Sequence, residues 1–228
     1  MEDKTKKDKD LPGTKAGALA GGCFLITARQ RFEFLIAMAI VHLLDNAVSD
    51  NLVGSGVLSS RGDELVALFE KAGGILLVVL GIATFIAIVK PLNRLIVPAV
   101  TGYLSFAVVH LGVNIGAILL TADDRKGQAL TQLWDVVVVY FMGIFVFTVW
   151  YWLLDRVTPG GAFIFPGKPA NPCDRCLVDY LFLSFNTSAT FGPTSETPTL
   201  SSAKVLMMLQ VCFSLVVLTV LLARALAG

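Results

Sequence analysis

The chain has 228 residues, of which 55% are hydrophobic and only 15% are charged, and its formal net charge is +1. A soluble domain has about a quarter of its residues charged, so this composition excludes an ordinary soluble domain and predicts an integral membrane protein with the lipid bilayer as its first partner. The basic residues are spread along the chain without aromatic residues between them, which argues against a nucleic-acid partner.

Four windows without any charged residue predict membrane-spanning helices. They are Ala72–Val89, Leu95–Leu120, Val136–Leu154 and Val205–Ala223. A fifth apolar run, Phe32–Leu44, is only about 13 residues long, a length typical of an interfacial or half-buried segment. It would span the membrane only if Asp45 and Asn46, which follow it, were shielded from lipid.

The windows divide the chain into three parts. Residues 1–30 form a polar, charged tail that lacks the order of a secretory signal, so we expect it to be cytosolic. Residues 31–120 contain the N-terminal membrane helices, and residues 133–228 contain the C-terminal block. The predicted fold class is all-α, in a polytopic membrane protein.

The C-terminal block contains a segment too short to cross a bilayer. A helix from about Val178 to Thr190 would reach roughly 20 Å, half to two thirds of the hydrocarbon thickness. The polar stretch that follows, NTSATFGPTSETP, would then lie at membrane depth. Irregular backbone at that depth must be enclosed by protein or line a water-filled cavity, so the pattern predicts a re-entrant segment.

These residues resemble the two-helix pore module of the potassium-channel superfamily. The stretch from Thr187 to Gly192, TSATFG, resembles the first half of the T-x-x-T-V-G-Y-G filter signature, and Asp179–Phe185 resembles the pore helix before it. Glu196–Lys204 resembles the segment that leads into the inner helix. The resemblance covers residues 133–228, under half of the chain, and it extends to small bacterial ion-channel membrane proteins that have extra helices in front of this module.

The resemblance implies a helix, a pore helix, a filter loop and a second helix, assembled as a homotetramer in a bacterial inner (plasma) membrane and permeable to monovalent cations. A ring of Glu196 carboxylates at the pore mouth would attract those cations. The filter and ion-binding residues that it implies are Thr187, Thr190, Phe191, Gly192, Pro193 and Thr194.

The chain departs from the family at the second half of the filter. Where the family has Gly-Tyr-Gly, this sequence has Gly192, Pro193 and Thr194. Thr194 at a glycine position costs on the order of 1 kcal/mol or more per subunit, and Pro193 fixes φ, cannot donate an amide hydrogen bond and restricts the residue before it. We therefore expect relaxed or lost potassium selectivity. The alternative is a non-conducting scaffold or channel subunit of the same architecture.

Cys173 and Cys176 form a Cys-x-x-Cys pair in the loop before the short helix. Such a pair is compatible with a redox couple, with half of a zinc site or with a local disulfide. We expect a structural disulfide between them. A membrane redox protein that uses this pair is a further alternative function.

Three other polar or small-residue positions lie inside the predicted spans. His110 and Asn114 are one helical turn apart on one face, where a hydrogen bond to another helix is a simpler explanation than a ligand site. Gly112 and Gly116 predict close packing on the same helix. Gln210 lies mid-way along the last span and faces either a pore or another subunit.

The sequence has no catalytic triad, glycine-rich phosphate loop or cluster of metal ligands. We expect no enzymatic activity, no cofactor and no metal site.

The orientation predicted by the resemblance conflicts with the charges of the front helices. If the pore loop faces outside and the tail is cytosolic, the number of spans must be even, and Lys90 and Arg94 would lie outside, against the positive-inside tendency. Five spans with a cytosolic tail would place the loop inside. The more specific resemblance favours the even number.

Overall fold

The computed structural model describes residues 28–54, 60–89, 93–120, 129–189 and 195–227. These residues form six α-helices and two strands of two residues each, so the fold is mostly helical, as predicted. The helices are α1 (Ala28–Gly54), α2 (Ser60–Val89), α3 (Asn93–Leu120), α4 (Ala129–Val157), α5 (Leu177–Ala189) and α6 (Ser201–Ala227). The strands β1 (Phe163–Ile164) and β2 (Thr197–Pro198) pair antiparallel.

Four helices in the described part of the chain are long and apolar enough to cross a membrane. Their candidate spans are Phe32–Asn51, Val97–Leu119, Leu133–Val157 and Ser201–Ala223. The last three overlap windows predicted from the sequence. The fourth predicted window, Ala72–Val89, is helical within α2 but is not among these four candidate spans.

For the first apolar run the structure favours the spanning alternative over the interfacial one, because α1 continues through Asp45 to Gly54 and provides a candidate span. Asp45 is only 4% exposed. Its carboxylate accepts a hydrogen bond of 3.0 Å from Asn114 of α3 and lies 3.1 Å from Nδ1 of His110. The charged residue therefore does not end the helix, and the predicted helix-to-helix hydrogen bonds of His110 and Asn114 are confirmed.

Helix α4 is the centre of the bundle. Within its candidate span 72% of the residues are buried, compared with 39% in α1 and α3 and 17% in α6. It packs against α1 and α3 on the one hand and against α5 and α6 on the other. The predicted front and rear blocks therefore share this helix.

Helices α1 and α4 run antiparallel. The ring of Phe34, near the start of α1, stacks on Trp152, near the end of α4, with 5.7 Å between centroids. At the opposite end of the pair, Asn51 donates a 3.0 Å hydrogen bond to Asp135. The start of α1 and the loop that follows α4 therefore lie at the same end of the bundle. The predicted orientation, with a cytosolic tail and an external pore loop, requires the start of α1 and this loop to lie at opposite ends, so it is not compatible with this arrangement. Residues 1–27 of the tail lie outside the described part.

The predicted close packing at Gly112 and Gly116 is not found among the described residues of one chain, where a Cβ atom added at either position would meet nothing within 4 Å. The close approach is instead at Gly143 of α4, where an added Cβ would lie 2.5 Å from the Phe213 ring of α6. That ring also packs against Phe147. The contact between α4 and α6 thus depends on the absence of a side chain at residue 143.

Substitution of Gly143 by alanine should destabilise the protein by about 1–3 kcal/mol, because the added methyl group overpacks the contact with Phe213. Gly112→Ala is the matched control, and it should be neutral or slightly stabilising, because alanine favours helix and the site is open. Denaturation midpoints in detergent micelles measure both effects. Equal midpoints for the two variants would contradict the proposed close contact.

Candidate functional site

The short helix α5 lies between α4 and α6, and its 13 residues span roughly 20 Å. Its limits agree with the predicted helix from about Val178, although Thr190 lies outside the described residues. One face is buried and carries Tyr180, Leu183, Ser184, Thr187 and Ser188. The opposite face exposes the apolar side chains of Val178, Phe182 and Phe185.

The first turns of α5 are anchored to the end of α4 by the buried carboxylate of Asp155. One carboxylate oxygen accepts the backbone amides of Ala162 and Phe163, at 2.6 and 2.9 Å. The other accepts the Tyr180 hydroxyl and the Arg175 guanidinium, both at 2.6 Å. Burial raises the pKa of the Tyr180 hydroxyl, and the adjacent Asp155 charge raises it further, so the phenol remains protonated and donates.

Arg175 binds Asp155 and also organises the loop before α5. Its guanidinium donates to the carbonyls of Phe163, Pro169 and Ala170, at 3.0 to 3.1 Å, and lies 5.0 Å from the centre of the Phe165 ring. These groups satisfy a cation that is only 6% exposed.

A glycine permits the loop to turn around the carboxylate. Gly161 has φ +89°, a conformation that other residues adopt at a cost, and a Cβ atom there would lie 3.0 Å from Asp155 Oδ1. The turn places the next two backbone amides on that oxygen.

The loop after α5 is tied to the same end. In the pairing of β1 with β2, Phe163 is opposite Pro198 and Ile164 is opposite Thr197, and the Thr199 amide donates to the Ala162 carbonyl at 2.9 Å. The chain therefore returns to the level of Asp155 before α6 begins.

The last turns of α5 are anchored much further along α4. The Ser184 hydroxyl donates a 2.8 Å hydrogen bond to the carbonyl of Ile144, which lies near the middle of the candidate span Leu133–Val157. Ile144 is 11 residues before Asp155, or about 16 Å along the helix. The two ends of α5 are thus held at two different levels of α4.

Gln210 connects α6 to the level of Ile144, which is called the inner level below. Its amide nitrogen lies within hydrogen-bonding distance of the Ser184 carbonyl and of the hydroxyls of Ser184 and Ser188, at 2.6 to 2.9 Å, and its oxygen accepts the Tyr151 hydroxyl. Gln210 is fully buried. We predicted that the Gln210 side chain faces a pore or another subunit. It faces neither, because its partners are on α5 and α4 of its own chain.

The predicted filter and mouth residues are only partly described. Thr187 is on the buried face of α5, and its hydroxyl donates to the Leu183 carbonyl at 2.8 Å. Glu196 is 9% exposed and accepts a 3.1 Å hydrogen bond from Ser195, so within one chain its carboxylate is covered. The remaining filter positions lie outside the described residues: Thr190, Phe191, Gly192, Pro193 and Thr194.

The predicted disulfide between Cys173 and Cys176 is wrong. Cys176 has a free thiol and is exposed, whereas Cys173 is disulfide-bonded but not to Cys176. Cys173 lies in a 3-10 turn capped by the Asn171 side chain, and the chain then becomes extended at Arg175. Arg175, between the two cysteines, is also used by the fold, because it binds Asp155.

Sequence reasoning missed the anchoring residues. The predicted span ends at Leu154, just before Asp155, and the Cys-x-x-Cys pattern assigns no role to Arg175. A signal was present: Asp155 directly follows the predicted span, an acidic residue buried at such a position requires a partner, and Arg175 is a cation in the loop that follows. Ser184 and Tyr151 gave no such signal, because serine and tyrosine are common in membrane helices.

Comparison with known proteins gives no match: no family model fits the chain, and no curated protein or solved structure is significantly similar to it. The function must therefore be inferred from the geometry of α4, α5 and α6.

Replacing Arg175 by glutamine should lower the free energy of unfolding by about 3–5 kcal/mol, because it leaves the Asp155 charge buried without its cation. Lys168→Gln is the control: the half-exposed Lys168 forms an ion pair with Asp179 at 2.9 Å, and its loss should leave the denaturation midpoint nearly unchanged. If both variants unfold at the wild-type midpoint, Asp155 does not depend on Arg175.

Replacing Gln210 by leucine keeps the volume but removes the bonds to α5, and should cost about 1–3 kcal/mol. Amide hydrogen exchange should become faster in α5. Thr219→Val is the control on the same helix, because the Thr219 hydroxyl is exposed and, among the described residues, bonds only to the Leu215 carbonyl. Unchanged exchange in α5 of the Gln210 variant would show that this network does not hold the helix.

Proposed function

We propose that the chain forms a cation-permeable pore by self-association around an axis beside α5 and the polar stretch that follows it. The carrying observation is the bond from Ser184 to the Ile144 carbonyl, because it holds the last turns of α5 half-way along the central helix. In a bilayer, a chain that leaves its helix at that depth needs protein or water around its backbone.

The charge distribution of α5 supports a cationic permeant. The last four carbonyls of an α-helix lack partners within the helix, and the C-terminal end carries the negative end of the helix dipole. In α5 this end is at the inner level, beyond Ser184 and Ser188. Thr187 adds a hydroxyl in the last turn. A cation at this depth would therefore be stabilised by helix ends from several copies.

The uncovered surfaces support self-association. Val178, Phe182 and Phe185 form an apolar stripe along α5, and α6 has only 17% of its candidate span buried. Lipid satisfies apolar side chains, but it cannot satisfy the polar stretch between α5 and α6. A neighbouring copy covers both, and the resemblance to potassium channels favours four copies in a bacterial plasma membrane. The substitutions at Pro193 and Thr194 favour weak discrimination between potassium and sodium.

Flux of potassium and of sodium into liposomes containing the purified protein tests this function. The wild-type protein should conduct both ions above empty liposomes, and Gly192→Ala should fall to the empty-liposome level, because it changes the backbone of the proposed ion path. Gly112→Ala, at an open position on α3, should conduct like the wild type.

Background-level flux in all three proteins would contradict the pore and would favour a non-conducting scaffold or channel subunit. Equal flux in wild type and Gly192→Ala would place any ion path elsewhere. Cross-linking of the reconstituted protein, run on the same samples, reports whether copies associate at all.

A further inference from the structure

A second buried polar cluster lies among the front helices, away from α5. The Asp45 carboxylate of α1 accepts a 3.0 Å hydrogen bond from the Asn114 amide and lies 3.1 Å from His110 Nδ1, both on α3. All three residues are at most 4% exposed. An amide nitrogen and a ring N–H are donors and a carboxylate is an acceptor, so Nδ1 carries the hydrogen in this contact.

The other ring nitrogen of His110 has no hydrogen-bond partner among the described residues. Nε2 is buried without a hydrogen bond, and His110 lines a cavity of about 10 Å³, close to the smallest volume that holds one water molecule. Such a water would exchange a proton with Nε2. The polar side chains that line the cavity with His110 are His42, Asp45 and Tyr103.

The charge of Asp45 lacks a permanent counterion in this cavity. None of the described residues that line it is Lys or Arg: α2 contributes Gly73 and α4 contributes Met142. A carboxylate in such an apolar setting is costly unless a positive charge is paired with it. The group placed to supply that charge is His110, in its doubly protonated form.

Two aromatic rings also favour a positive His110. The Phe69 ring of α2 stacks on the imidazole at 5.3 Å between centroids, and Phe106 lies at 5.9 Å. The faces of aromatic rings attract cations. Hard metal cations are less suited to this cavity, because they require about six oxygen ligands.

We propose that Asp45 and His110 form a proton-binding site that joins α1 to α3. A proton delivered through the cavity water binds Nε2, the imidazolium keeps its Nδ1–H on Asp45, and the pair becomes neutral overall. Release of the proton leaves the Asp45 charge uncompensated and weakens the contact between the two helices. This site does not depend on whether α5 lines a pore.

Nitrogen-15 NMR of the full chain in lipid, labelled at histidine, tests the site directly, because the protein has only two histidines. His42→Gln identifies the signals of His110. We expect the ring nitrogens of wild-type His110 to report imidazolium at a pH at which Asp45→Asn reports the neutral ring. Asn114→Ala is the control that removes a hydrogen bond but keeps the Asp45 charge, so its His110 should remain imidazolium.

A neutral His110 in the wild type over the whole pH range of the folded protein would overturn the proposal. So would the same protonation state in the wild type and Asp45→Asn. If Asp45→Asn fails to fold, the wild type and Asn114→Ala still decide, since both must show imidazolium. Signals that change with sodium concentration but not with pH would identify a metal-cation site instead and would also overturn it.

Discussion

The Asp155 carboxylate determines the arrangement of the loop after α4 and of the start of α5. A buried carboxylate is unfavourable unless it is paired and fully hydrogen-bonded, and here its four donors come from three separate parts of the chain. They are the turn after Gly161, Arg175 in the loop and Tyr180 of α5. Because all of these parts must be in place to satisfy one group, the carboxylate selects a single path for the loop and a single starting position for α5.

That starting position has consequences further down the helix. With Tyr180 fixed at the end of α4, the next turns of α5 extend toward the middle of α4, where Ser184 meets Ile144 and Gln210. The amide of Gln210 is itself buried in the middle of an apolar helix, and α5 provides its acceptors. The bond of Tyr180 to Asp155 and the bonds of Ser184 to Ile144 and Gln210 therefore support each other. Without α5, the Gln210 amide nitrogen would lose its acceptors, and without Gln210, α5 would lose its bond to α6.

The sequence was sufficient to predict the helices whose apolar runs are uninterrupted, including the short α5, because length and hydrophobicity decide those elements. It failed where a buried partner from a distant segment changes the meaning of a charge. The length of α1 depends on α3, since Asp45 is tolerated only because His110 and Asn114 reach it. Likewise, the pairing of the cysteines near Arg175 was misjudged because spacing does not reveal the position of distant partners.

The two buried carboxylates differ in the type of cation that faces them, and this difference separates their roles. Asp155 faces a guanidinium, which is charged at every physiological pH, so its site is fixed and suits an anchor. Asp45 faces an imidazole, whose charge depends on its surroundings and on pH. In the proton-binding site that we propose, the contact between α1 and α3 would depend on whether His110 carries one or two ring protons. The proposal therefore assigns a pH-dependent contact to the front helices, whereas the ion pair that anchors α5 keeps its charge.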